Sequence, residues 1–95
     1  MNEQDDRLYV TNPVVSCREE GPDGALLFNP DTDQVLVINP TGLLIWRALA
    51  EPHTQAEVIA VLKEKCHHIP EEMVQQDVSE FTEQLHVKEF VSACE

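Results

Sequence analysis

The junction at Asn39-Pro40 is the feature that most constrains how this chain can fold. Before it, Gln34 to Asn39 holds the unbroken apolar run Val35-Leu36-Val37-Ile38, bounded by turn residues and rich in the side chains that suit a strand. After it, Leu43, Trp46, Leu49 and Ala50 recur at helical spacing until Pro52 stops the run. Asn can cap free backbone N–H groups, and Pro at the first helical position loses no hydrogen bond there. A strand must therefore give way to a helix at this point.

The same signals place the other elements. Val14 to Cys17 and Ala25 to Phe28 are two further short apolar runs, so three strands follow one another. Glu19-Glu20-Gly21-Pro22-Asp23-Gly24 supplies turn dihedrals between the first two, and Asn29-Pro30-Asp31-Thr32-Asp33 is a five-residue hairpin loop between the second and third. Thr54-Gln55-Ala56-Glu57 forms a capping box ahead of Val58, Ile59, Leu62 and Cys66, which opens a second helix. A third helix starts at Pro70, sets Glu71 and Glu72 at its positive dipole end, and carries Val74, Val78, Phe81 and Leu85 along one stripe to about Val87. Phe90 and Val91 then suit a last short strand or a hydrophobic clasp. The expected fold class is α+β: a three-stranded antiparallel sheet followed by three helices. Residues 1–12 read as a flexible N-terminal arm, 13–91 as the domain and 92–95 as a C-terminal tail.

Charge narrows the function classes. Six basic residues against eighteen acidic ones give a formal charge of −12, with no Lys/Arg cluster to receive phosphates, so nucleic acid is not an expected partner. The acidic start MNEQDDRLYV lacks the basic region of a secretory signal, and no apolar run approaches the roughly 18 residues of a membrane span. The expected location is the cytoplasm, away from membranes. Cys17, Cys66 and Cys94 are odd in number and irregularly spaced, which suits a reducing compartment.

The ordered set Ala25-Leu26-Leu27-Phe28-Asn29-Pro30, Val35-Leu36-Val37-Ile38-Asn39-Pro40-Thr41-Gly42, Ile45-Trp46, Thr54 with Glu57-Val58-Ile59, and Asp77-Val78, Phe81 and Leu85 resembles the PqqD family over residues 13–91. That resemblance implies a winged helix-turn-helix-like domain of the kind called a RiPP recognition element. Such a domain binds the leader of a ribosomally made precursor peptide for a partner enzyme, often a radical SAM protein, as in pyrroloquinoline quinone or other peptide natural-product biosynthesis. It implies no catalytic residue and no cofactor. The chain departs from the family pattern where a Gly usually follows the first and third helices, having Glu51-Pro52 and Lys88-Glu89 instead.

In the family fold, the strand over Gln34 to Asn39 is a sheet edge beside the third helix. Its apolarity on both faces asks for a cover on each, and an unpaired apolar edge is an aggregation hazard unless a partner uses it. Strand addition by the leader uses it, with main-chain hydrogen bonds for affinity and alternate side chains for specificity. If Val74, Val78, Phe81 and Leu85 face the core, then Met73, Asp77, Glu80 and Gln84 fall toward the groove. The expected peptide-binding residues are therefore Val35, Leu36, Val37, Ile38, Asn39, Met73, Asp77, Glu80, Phe81 and Gln84. Trp46, Phe81 and Phe28 read as core by their spacing, Phe81 being counted in both sets.

Rival readings rest on weaker signals. A winged-helix transcription regulator would use the third helix for recognition, yet Glu71, Glu72, Asp77, Glu80 and Glu83 without a Lys or Arg repel phosphate. A protein–protein adaptor is the other alternative, and an edge strand can also pair with itself to make a homodimer. Cys66-His67-His68 has zinc-ligand atoms but no second paired motif. Neither a nucleophile–base spacing, a Gly-rich phosphate loop nor an Asp-Ser-Leu carrier site is present, and His53, His67, His68 and His86 read as scattered surface residues.

Overall fold

The computed structural model describes residues 7–66 and 69–94, so His67 and His68 of the metal-ligand candidate lie outside the described residues. The chain runs β1 (Leu8–Thr11), β2 (Ser16–Glu19), a 3-10 turn (Gly21–Asp23), β3 (Ala25–Asn29), β4 (Gln34–Ile38), α1 (Pro40–Ala48), β5 (His53–Thr54), α2 (Gln55–Lys65), α3 (Glu71–Val87) and β6 (Val91–Cys94). The expected sheet is antiparallel, in the order β2-β3-β4, and leads into the three expected helices.

Local chemistry explains each start and stop. The Asn39 side chain accepts from Gly42 N at 2.7 Å and caps α1, with Pro40 as first helical residue. At α2, Glu57 N donates to Thr54 Oγ1 at 3.1 Å and Thr54 N to Glu57 Oε1 at 2.8 Å, which completes the capping box. Gly24 (φ +114°) sits where β3 begins, and a Cβ there would lie 2.0 Å from the Ile38 carbonyl oxygen, so only glycine fits. The hairpin loop is one residue shorter than expected because Asn29 pairs with Gln34 as the last rung of the ladder.

Three expectations are corrected. Val14 does not open β2, because Asn12 takes it into a turn: Val14 N donates to Asn12 Oδ1 at 3.2 Å and Val15 N to Asn12 O at 3.0 Å. Residues 8–11 of the supposed arm form β1, and residues 92–94 of the supposed tail belong to β6. β1 is the middle strand of a second sheet, β5-β1-β6, in which Leu8 faces both Thr54 and Cys94. Four-residue runs whose partners lie 44 to 86 positions away leave no local signal. The third correction concerns α3, whose buried stripe is Val74, Val78, Thr82 and Leu85, with Phe81 only half-buried beside it. Val74, Val78 and Leu85 lie where expected, and the polar Thr82 rather than Phe81 fills the remaining core position.

The C-terminus of α3 shows how this chain manages without the family glycine. Phe90 N donates to Leu85 O at 2.8 Å and Glu89 N to His86 O at 3.1 Å, the two bonds of a Schellman motif. Glu89 holds the left-handed position at φ 65°. Its carbonyl oxygen accepts from two side chains, Asn29 Nδ2 at 2.9 Å and Asn12 Nδ2 at 3.0 Å. The fully buried Asn29 also accepts from Asp31 N at 2.9 Å, so one amide joins the hairpin to the end of α3.

Asn29→Ala removes that donor and acceptor from a buried site, and the expected loss is about 1–3 kcal/mol, read as a lower urea midpoint at unchanged m-value. Glu89→Gly relieves the left-handed strain at some cost in unfolded-chain entropy, so the same measurement should show a net gain of about 0.5 kcal/mol.

Candidate functional site

β4 is the outer strand of its sheet, so one long side carries no neighbouring strand. Which of its groups are free follows from the ladder. Glu20 N donates to Gly24 O, so Gly24 points toward β2, and by alternation Ala25, Leu27 and Asn29 point toward β4. Their partners Ile38, Leu36 and Gln34 face inward, which leaves the N–H and C=O groups of Val35 and Val37 aimed at the open side. Side chains follow the same alternation: Ile38 is buried and Leu36 half-buried, while Val35 and Val37 are 56% and 74% exposed. Only one face of the run is therefore covered by the protein itself. Phe28, paired with Val35, shares the uncovered face at 36% exposure, which corrects its expected place in the core.

Beside this edge lies a groove of about 370 Å³ lined by Leu36, Val37, Ile38, Asn39, Thr41, Gly42, Ile45, Asp77, Glu80, Phe81 and Gln84. Two contacts set how α3 runs along it. Glu89 just past the helix is bonded to Asn29, the partner of Gln34 at one end of β4. At the other end, a Cβ placed on Gly42 would lie 3.2 Å from both Ile38 Cβ and Phe81 Cζ. The eight residue steps from Phe81 to Glu89 span ~12 Å at helical rise, and the four steps from Gln34 to Ile38 span ~13 Å in a strand. α3 thus runs alongside β4 in the opposite direction, with Gln84 toward Leu36 and Asp77 toward Asn39 and Thr41. Gly42 keeps the floor open, since any side chain there would press on Ile38 and Phe81.

Eight of the ten expected residues line this groove: Leu36, Val37, Ile38, Asn39, Asp77, Glu80, Phe81 and Gln84. Val35 lies on the outer face of the sheet, and Met73, 54% exposed, sits a helical turn short of the lining. Thr41, Gly42 and Ile45 were not expected to line it. Their signal was the Asn39-Pro40 junction itself, which folds the first turn of α1 over the end of the strand.

The walls carry opposite characters. Leu36, Ile38, Ile45 and Phe81 make an apolar floor, and Asp77 and Glu80 supply the only charges among the lining residues. Glu80 Oε1 accepts from Gln76 Nε2 at 3.1 Å, whereas Asp77 has no side-chain partner among the described residues. Other chemistry is sparse. Cys17 lies on β2, with its thiol pushed up from the ordinary value first by burial and then by Glu19, against a smaller opposing pull from Arg47. His53 and His86 are half-buried rather than on the surface, His86 meeting Tyr9 edge-on at 5.8 Å. Cys66 is buried. No helix among the described residues is long and apolar enough to cross a membrane.

The family model described as Coenzyme PQQ synthesis protein D (PqqD) matches residues 24–91. Two solved structures share the architecture. TbiB1, in complex with the TbiA(beta) leader peptide, has a TM-score of 0.74 at 19% identity, over 87% of this chain and 94% of that one. A lasso peptide synthetase B1 complexed with the leader peptide has a TM-score of 0.71 at 18% identity, over 88% and 96%. Comparison with curated proteins gives no match.

Because the outward amides of β4 take no part in the ladder, Val37→Pro should fold, with Tm within a few degrees of the parent by circular dichroism, whereas Leu36→Pro breaks an inward rung and should lower Tm by far more.

Proposed function

The chain belongs to the PqqD family, and on that premise we propose that it captures the leader segment of a ribosomally made precursor peptide as an added strand on β4 and presents it to a modifying enzyme. One observation carries this reading: a sheet edge with its N–H and C=O groups free, apolar on its uncovered face, opening onto a groove whose far wall is α3. Main-chain bonds to Val35 and Val37 supply affinity for an extended peptide of any sequence, and the side chains that turn into the groove supply selection. The binding set in this reading is Val35, Leu36, Val37, Ile38 and Asn39 on one wall and Asp77, Glu80, Phe81 and Gln84 on the other, with Met73 at the rim. The two leader-bound structures support it as analogues of the fold.

The module acts by delivery rather than by catalysis. Holding the leader beside its enzyme can raise the local concentration of the core peptide to about millimolar without touching the reaction. A radical SAM protein in the cytoplasm, engaged in pyrroloquinoline quinone or related peptide maturation, is the partner enzyme this family membership favours. A regulator bound to DNA is disfavoured by the acidic face of α3, where His86 is the sole basic residue. Self-pairing of two β4 edges would occlude the same groups, so homodimer and leader complex are alternatives in this scheme.

A titration of the 15N-labelled chain with synthetic leaders from the short reading frames adjoining its gene tests the proposal. Amide shifts are expected from Val35 to Asn39 and from Met73 to Leu85, with Val37→Pro weakening the complex about tenfold through the loss of one main-chain bond. Shifts confined to other surfaces would overturn it.

A further inference from the structure

The groove also records the chemistry of the peptide it takes. We infer that the segment added to β4 presents a Lys or Arg toward Asp77 and Glu80, and a large apolar side chain toward Phe81 two residues away. The inference rests on the strand-addition reading and goes beyond it, from a site to a recognised pattern.

Charge carries the first half. Asp77 and Glu80 are the only ionised side chains lining the groove, and the chain's Arg47 and Lys63 are held elsewhere, by Glu19 and Glu71. Asp77 is without a side-chain partner among the described residues, and Glu80 is bonded on one oxygen only. An incoming carboxylate at this end would face two like charges in a chain of formal charge −12, whereas an ammonium or guanidinium would find an acceptor waiting. Position carries the second half. Gly42, Ile38 and Phe81 meet at the apolar floor, and Asp77 stands one turn of α3 beyond Phe81 toward Asn39 and Thr41. That turn spans ~6 Å, while successive same-face positions of a strand are ~6.6 Å apart. Neighbouring groove-facing side chains of one added strand therefore meet the two subsites in turn. Phe81 is only half-buried by the domain itself, which leaves ring surface for an apolar side chain to cover.

Selection from a displayed library of random 15-residue peptides against the full chain tests this, followed by fluorescence polarisation of the synthesised winners. Winners should be enriched in Lys or Arg two residues from Leu, Ile, Met or an aromatic residue. Asp77→Asn should weaken them about fivefold, an effect that fades at high salt, and Glu83→Gln, on the same helix but outside the groove, should not. Reselection on Asp77→Lys should exchange the basic residue for an acidic one. Winners that shift the amides of Val35 to Asn39 yet lack the basic residue, or that weaken equally with Glu83→Gln, overturn the pattern and leave strand addition standing. Winners that shift no β4 amide overturn both.

Discussion

The rest of the structure depends on a single buried amide. Asn29 closes the β3–β4 ladder, turns the hairpin by accepting from Asp31 N, and donates to the carbonyl of Glu89 at the end of α3. Asn12 donates to the same oxygen, so the start of the first sheet, the tip of the hairpin and the end of the last helix converge on one acceptor. A fully buried side chain with both ends bonded resists displacement, because breaking either bond exposes a polar group to an apolar interior. With α3 held there and again where Phe81 meets Gly42, its distance and direction relative to β4 are settled. The groove is the space this double attachment leaves.

That space exists because the sheet stops. β3 has a partner on each side, whereas β4, like β2 at the opposite edge, has one, and the contacts between α1 and α3 around Gly42 keep the helix from closing over the open side. Two exposed valines and a half-covered phenylalanine ring are a standing liability for a chain alone in water. Acidic side chains along α3 oppose the approach of a second copy while leaving the edge open to a basic strand. Stability and function thus pull on the same residues: whatever completes the sheet also covers the apolar surface that the domain leaves out.

Much of this was legible residue by residue. The Asn39-Pro40 junction, the Thr54–Glu57 box and the hairpin at Asn29 act through neighbours in the chain, and the structure shows each of them made. The readings that needed correction have two kinds of cause: a polar residue that overrides the apolar pattern around it, and a strand partner distant in the chain. Val14 looked like strand until Asn12 took it into a turn, and Leu8 to Thr11 looked like arm because its partners, at residues 53–54 and 91–94, are distant. In α3, Thr82 takes the buried place that Phe81 was expected to fill, while Val74, Val78 and Leu85 hold theirs, and the half-buried Phe81 ring lines the groove. The stop of α3 at Val87 falls where it was expected although Lys88-Glu89 stands in place of the usual glycine, because backbone bonds to His86 and Leu85 hold the chain in a conformation the Glu89 side chain disfavours.

The sequence by itself determined the elements: where strands yield to helices, which side chains are apolar, that the third helix is acidic, and the ordered residues that mark the family. Only the tertiary structure decided which strand is left at an edge, which of its amides face outward, and which stripe of α3 looks across the gap. The reason is the range of the forces involved. Caps, turns and periodicity are settled within a few residues, whereas an edge is defined by a neighbour that is missing, and that can be known only once every other strand and helix has taken its place.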